Sequence, residues 1–216
     1  MGDYTQGKAW KMAKYQHILE VAFLLFSERG IEPVTMPEVA KASGVGRATL
    51  YRYFETKLDL VVAIGTWTWE KYITMHNTSI PKEEMDLMTG AQRLRFYLDS
   101  FLDLYRNHSD LLRFNYNFNG YLRYEAGTSG QREPYMGMVD HLGELFHEVY
   151  ERGMRDGTLK KDVPEKMMFS SSFHIMLAAV TRYAVGLAYV IEGNDPEEEL
   201  IMLEELLLSR FISVGD

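Results

Sequence analysis

Apolar side chains recur along this chain at intervals of three and four residues. Between residues 12 and 29, Ile18, Val21, Ala22 and Leu25 share one helical face with Phe26 beside them. Gly30 follows, the residue type that caps a helix C-terminus in a left-handed conformation. Pro33 then holds the chain extended. Thr35 and, three residues on, Glu38 form a capping box with Pro37 in the first turn, so the next helix is predicted over 36–42, stopping at Ser43-Gly44. A third short helix is predicted over 47–53. A longer one after Thr56 carries Leu60, Val61, Ile64, Trp67 and Tyr72. Beyond Pro81 the pattern predicts helices at about 84–107, 109–125, 131–156, 163–191 and 196–212, with Gly, Pro, Asn or Ser at each break. No segment alternates with period two, so no sheet is expected and the fold class is all-α.

Composition narrows this picture. The 216 residues are 46% hydrophobic, enough for one or two ordinary domains. With no cysteine there is no disulfide framework and no thiolate metal site. The first residues lack the apolar stretch of a secretory signal, and Gln6 breaks a myristoylation pattern. The longest apolar run, 175–191, includes Arg182 and falls short of the roughly 20 residues that span a bilayer. It is expected to be a buried helix, with no membrane partner and a cytoplasmic location. Charge divides the chain. Residues 1–60 carry eight Lys and Arg against seven Asp and Glu, whereas 61–216 carry fifteen against twenty-four. Only the first part can approach a polyanion without strong repulsion. The expected domains are therefore 1–60 and 61–216.

The stretch SGVGRATLYRYF, residues 43–54, contains Gly-x-Gly, a spacing that can cradle a phosphate. A dinucleotide fold needs a third glycine where Thr49 stands, and a strand rather than a helix before it. A helix-turn-helix fits better. Ala40, Gly44 and Leu50 take the fifth, ninth and fifteenth places of the span 36–55, and Val39, Val45 and Leu50 supply an apolar wedge. The second helix, RATLYRYF, then becomes the recognition helix. Arg47 can reach guanine O6 and N7. Thr49 and the hydroxyls of Tyr51 and Tyr53 can donate to phosphate, Arg52 can serve either role, and Lys57 can pair with the backbone. Phe54 reads as a core aromatic.

At these residues, Gly44 to Lys57 above all, the chain resembles the N-terminal signature of TetR-type transcriptional repressors over residues ~12–65. The resemblance implies a homodimer with three N-terminal helices for DNA, followed by a larger helical ligand-binding and dimerisation domain. It implies that Thr35 caps the second helix against a phosphate. Arg47, Ala48 and Arg52 would face bases, while Thr49, Tyr51, Tyr53 and Lys57 would hold the DNA backbone. Family members often carry a polar residue where Pro37 stands, which shifts base reading onto Arg47 and Arg52. Lys8, Lys11 and Lys14 form either a basic arm or a solvated helix face.

In the acidic part, nine of the 13 Met lie between 85 and 202, among many aromatic rings. Such residues line adaptable ligand pockets. Trp67, Phe101, Tyr105, Phe114, Phe118, Tyr121, Met138 and His174 are the candidate ligand contacts, and the excess of carboxylates favours neutral or cationic ligands. The segment 114–124 interleaves aromatics with Asn115, Asn117 and Asn119, either as a polar pocket wall or as a packed helix. His141, Glu144, His147 and Glu148 share a helix face, but no second Glu-x-x-His completes a two-metal site, and no metal or cofactor is expected. No catalytic constellation stands out. Met176, Val180, Tyr183, Ala184 and Leu187, with Leu203, Leu207 and Phe211, are the candidate dimer residues. The reading is a repressor released from a palindromic double-stranded DNA operator by a small, largely apolar or aromatic effector. An enzyme built on the helical chamber, and a head that binds protein instead of DNA, remain alternatives.

Overall fold

A computed structural model of the chain describes residues 2–125, 127, 129–186 and 195–213, with backbone alone for 2–6 and 129. The helices are α1 (Gly2–Arg29), α2 (Met36–Ala42), α3 (Arg47–Tyr53), α4 (Lys57–Asn77), α5 (Lys82–Leu87), α6 (Gly90–Asn107), α7 (Ser109–Tyr124), α8 (Ser129–Asp156), α9 (Glu165–Val185) and α10 (Pro196–Phe211). The described residues form no strand, only a lone antiparallel bridge between Leu159 and Ile212. None of their helices is long and apolar enough to cross a membrane.

Two boundaries differ from the sequence expectation. The first helix begins at Gly2, not near residue 12. Residues 7–13, which include the good helix formers Lys8, Ala9, Lys11, Met12 and Ala13, are exposed, so apolar periodicity marks only the packed half. The expected 84–107 helix is two helices. Met88 is extended, with ψ 141°, and Thr89 and Gln92 form a capping box that starts α6 anew. The C-terminal end of the expected 163–191 helix falls partly on residues outside those described. So does the candidate dimer residue Leu187.

The chain forms two compact units, one of residues 1–71 with 113–138, the other of 72–112 with 139–216. In the first, Ile18, Leu19, Ala22 and Phe26 of α1, Val39 and Ala40 of α2, and Leu50 of α3 join one core with Leu60, Val61 and Ile64 of α4 and Phe114 and Phe118 of α7. Gly44 makes the turn between α2 and α3 at φ 64°, a left-handed conformation that costs a side chain about 1–2 kcal/mol. Phe118 lies so close to α4 that a Cβ on Gly65 would come within 2.8 Å of its ring.

In the second unit, α6, α9 and α10 pack on one another. Met168, Ser172, Met176 and Val180 line the inner stripe of α9, one residue per turn. At the start of α6, a Cβ on Gly90 would meet the Gly153 backbone at 2.1 Å. The first-turn N–H groups of Gly90 and Ala91, which have no partner within the helix, donate to the Asp156 carboxylate at 2.8 Å and to the Thr158 hydroxyl at 2.9 Å. On the inner face of α10, Glu204 is 3% exposed and bonds the Asp99 carboxyl, with Arg95 at 3.7 Å. Burial first, and then the Asp99 charge, push the Glu204 carboxyl up to about 7.

Gly44→Ala is expected to lower stability by about 1–2 kcal/mol in thermal or denaturant unfolding, since the site has room for a methyl but not the right φ. The folded state holds an extra proton at Glu204 between about 4.5 and about 7, so its contribution to stability falls as pH rises through that window. Glu204→Gln is expected to flatten this fall in melting temperature between pH 5 and 8.

Candidate DNA-binding surface

Helix α2 begins with a reciprocal cap. The Thr35 hydroxyl accepts from the Glu38 N–H at 3.4 Å, and the Glu38 carboxylate accepts from the Thr35 N–H at 2.8 Å. Arg29 of α1 reaches the same carboxylate at 3.0 Å. Hydrogen bonds from the Thr35 backbone and side chain, then from Arg29, hold the Glu38 carboxyl at about 2. At the turn, the Val45 N–H donates to the Ala40 carbonyl at 3.0 Å and the Ser43 hydroxyl to the Val39 carbonyl at 2.7 Å. Helix α3 follows at Gly46, with no side-chain cap of its own.

Leu50 is the one fully buried residue of α3 and fixes its rotation. Arg47, Ala48, Tyr51 and Arg52 consequently face solvent, while Thr49 and Tyr53 sit at the margins. Tyr51 is 48% exposed, large for an aromatic ring. Phe54 is buried, stacked on Tyr15 of α1 at 5.3 Å. The Tyr53 ring leans on Tyr15 at 5.9 Å, and the Arg52 guanidinium lies 5.8 Å from the Tyr53 ring. Lys57 is half-buried. Its ammonium donates to the Glu32 carbonyl at 3.1 Å and lies over Tyr121 at 5.6 Å. Burial lowers its pKa against the pull of Glu32, Glu125 and Glu38. Thr56 and Asp59 cap α4 reciprocally: the Asp59 carboxylate accepts from the Thr56 N–H at 2.8 Å, and the Asp59 N–H donates to the Thr56 hydroxyl at 3.1 Å. Lys8, Lys11 and Lys14 lie on helical backbone instead of an extended arm, and Lys14 sits 4.1 Å above the Trp10 ring.

The family described as "Bacterial regulatory proteins, tetR family" matches residues 18–64. HTH-type transcriptional regulator SAR2658 of Staphylococcus aureus (strain MRSA252) is 30% identical over 136 residues, a match covering 63% of this chain and 65% of that protein. The fold matches a transcriptional regulator from Saccharomonospora viridis, solved with choline, at TM-score 0.72 and 16% identity, covering 94% of this chain and all of that one. It also matches the regulator FadR of Bacillus subtilis, solved with stearoyl-CoA, at TM-score 0.66 and 18% identity, covering 91% and 98%. Residues 18–64 carry the N-terminal domain of the TetR family. The chain is a DNA-binding transcriptional regulator, in a family of regulators rather than enzymes.

The candidate ligand residues of this chain do not gather in one place. Phe114, Phe118, Tyr121 and Met138 are buried in the first unit, where Phe114 meets Phe23 at 5.6 Å and Phe118 meets Tyr135 at 4.6 Å. Trp67 lines a cavity of about 590 Å³ in the same unit. Segment 114–124 is helical: Asn115 is buried, Asn117 donates to the Arg113 carbonyl at 2.9 Å, and Asn119 is exposed. Phe101, Tyr105 and His174 belong to the second unit; Tyr105 lies against Tyr183, and His174 faces solvent. Phe101 is part of a closed circuit of five rings that periodicity did not single out. Tyr97, Phe101, Phe173, Phe169 and Phe146 follow one another at centroid distances of 5.6, 6.2, 6.0, 5.3 and 5.1 Å, the last returning to Tyr97. The Tyr97 hydroxyl is buried without a hydrogen-bond partner, as are those of Ser172 and Thr181. Burial raises the Tyr97 phenol well above its usual range.

The candidate dimer residues mostly point inward. Met176, Val180, Leu207 and Phe211 are buried within the second unit, Tyr183 donates to Glu199, and Ala184 and Leu203 are half-buried. The apolar residues that α9 and α10 leave exposed lie largely one position away: Ile175, Val185, Ile201, Met202 and Leu206. A one-residue step turns a helical position by about 100°, from the core stripe to the open face. His141 pairs with Glu144 at 3.4 Å, and His147 with Glu165 at 3.0 Å.

Thr35→Ala removes the cap of α2 and is expected to cost about 1 kcal/mol of stability by denaturant unfolding.

Proposed function

We propose that this regulator is a homodimeric repressor that reads a near-palindromic operator through α3 and leaves it when a small, largely apolar or aromatic effector binds. The observation that carries the reading is the outer face of α3. Arg47, Ala48, Tyr51 and Arg52 are all exposed on a helix with no acidic residue, anchored by Leu50. Arg47 and Arg52 offer planar donors for guanine edges. Thr49, Tyr51 and Tyr53 offer hydroxyls for phosphate, with Thr35 at the start of α2 and Lys57 at the start of α4 as flanking backbone contacts. The near-neutral charge of residues 1–60, taken as the DNA-binding domain, suits a polyanion better than residues 61–216 do.

A dimer would set the two recognition helices about 34–36 Å apart, one turn of DNA. The exposed apolar positions of α9 and α10 support those two helices as the interface. The five-ring circuit, whose Tyr97 hydroxyl has no partner among the described residues, supports an effector chamber in the second unit, for a ligand with a flat or aliphatic body and a polar atom to meet Tyr97. Two proteins of the same fold were solved with choline and with stearoyl-CoA, so the architecture accepts unlike ligands. An effector releases DNA only by binding more tightly to the state whose helix spacing is wrong for the operator. Such a protein acts in the cytoplasm.

Arg47→Ala is expected to weaken binding to an operator selected from random DNA by about 1–3 kcal/mol and to relax preference at one base position. Unchanged affinity and specificity, measured by fluorescence anisotropy, would refute the role given to Arg47. Affinity that barely changes between 50 and 200 mM salt would count against phosphate contact altogether and favour a protein-binding head.

A further inference from the structure

The geometry points to a second ligand site, for a small organic cation with an apolar body, in the cavity between α1, α4 and the start of α8 in the first unit. The cavity holds about 590 Å³, within the span of about 300–1,000 Å³ usual for small-molecule sites. All its lining residues belong to the first unit, and none is a member of the five-ring circuit. Tyr15 and Trp67 bring aromatic surface to it, Leu19 and Val62 bring aliphatic surface, and its charged groups are the carboxylates of Asp59 and Glu70. No Lys or Arg is among the described lining residues. Apolar walls, ring faces and acids, with no basic residue in the described lining, are the chemistry that selects an organic cation.

Three further observations agree. Burial, and then the charge of Glu70, raise the Tyr15 phenol, so this region resists a second negative charge. Burial works to raise the Asp59 carboxyl, but hydrogen bonds from Gln131 and Thr56 win and hold it low, so it is ionised at neutral pH. Lys71, not itself a lining residue, holds its ammonium 5.2 Å from the Trp67 ring centroid, which shows that this ring receives a cation. The site also touches the DNA-reading end of the protein. One Asp59 oxygen caps α4 through Thr56, and the other accepts from Gln131 at 2.9 Å. An occupant drawing on Asp59 therefore acts on the helix that follows α3. The site stands independently of the effector chamber and of the repressor reading.

Equilibrium dialysis of the full-length protein against tetraphenylphosphonium tests it, with tetraphenylborate as an anion of the same shape. Saturable uptake of the cation and much weaker uptake of the borate are expected. Glu70 is exposed, so Glu70→Gln should fold normally, with an unchanged melting curve, and bind the cation at least about fivefold more weakly. Trp67→Leu should weaken it similarly, while Tyr97→Phe in the second unit should bind as wild type. The proposal is overturned if wild type takes up no cation saturably, if the borate binds as tightly, or if Glu70→Gln binds as wild type. It is also overturned if Tyr97→Phe loses as much affinity as Glu70→Gln, which would put the cation in the other unit. Operator affinity measured on the same variants separates these failures from a failure of the repressor reading.

Discussion

Leu50 enters the core of the first unit from the middle of a seven-residue helix. A helix that short has too few internal hydrogen bonds to persist alone in water, so α3 exists because Leu50 is held. Around it close Val39 and Ala40 from α2, Ile18, Ala22 and Phe26 from α1, and the aliphatic residues of α4. With Leu50 pointing inward, the 100° step per residue sends Arg47, Ala48, Tyr51 and Arg52 outward. One buried side chain thus sets the orientation of the whole candidate recognition face. The left-handed turn at Gly44 lets α2 and α3 share that core while pointing different ways.

The polar groups around this head secure helix ends. Thr35 and Glu38 close α2, Thr56 and Asp59 close α4, and Arg29 ties α1 to the α2 cap. The two boxes satisfy N–H donors that a helix start would otherwise leave open. Lys57 does a related job, anchoring through its ammonium to the Glu32 carbonyl while its charge rests on Tyr121. Such ties matter more than their individual energies suggest, because they fix where short helices begin and hence which residues face outward.

The second unit solves a different problem. Its inner stripes are apolar at nearly every turn, yet they enclose the Glu204 carboxyl and the hydroxyls of Tyr97 and Ser172. Buried polar groups without full pairing are costly, and structures keep few of them. Tyr97 is one of five aromatics in mutual contact, and its phenol has no hydrogen-bond partner among the described residues.

Local rules made much of this legible from sequence. The capping box at Thr35–Glu38, the glycine at 44, the single apolar position at Leu50 and the Gly44–Lys57 pattern announced α2, the turn, α3 and the family, since each is written within a few residues. What failed locally was what local pattern does not encode. Residues 7–13 of α1 are exposed, so periodicity missed that end of the helix, and the Thr89–Gln92 box that divides α5 from α6 was hidden in a continuous apolar pattern. The candidate dimer stripe fell on Met176, Val180 and Leu207, because apolar spacing marks buried and open faces alike. The candidate ligand residues fell in both units, because Phe118 packed in a core and Phe101 in an aromatic circuit carry the same signal. Sequence determined which helices form and which residues could read DNA. Only the tertiary structure decided which side of each helix is spent on its own core, because that depends on residues far apart in the chain.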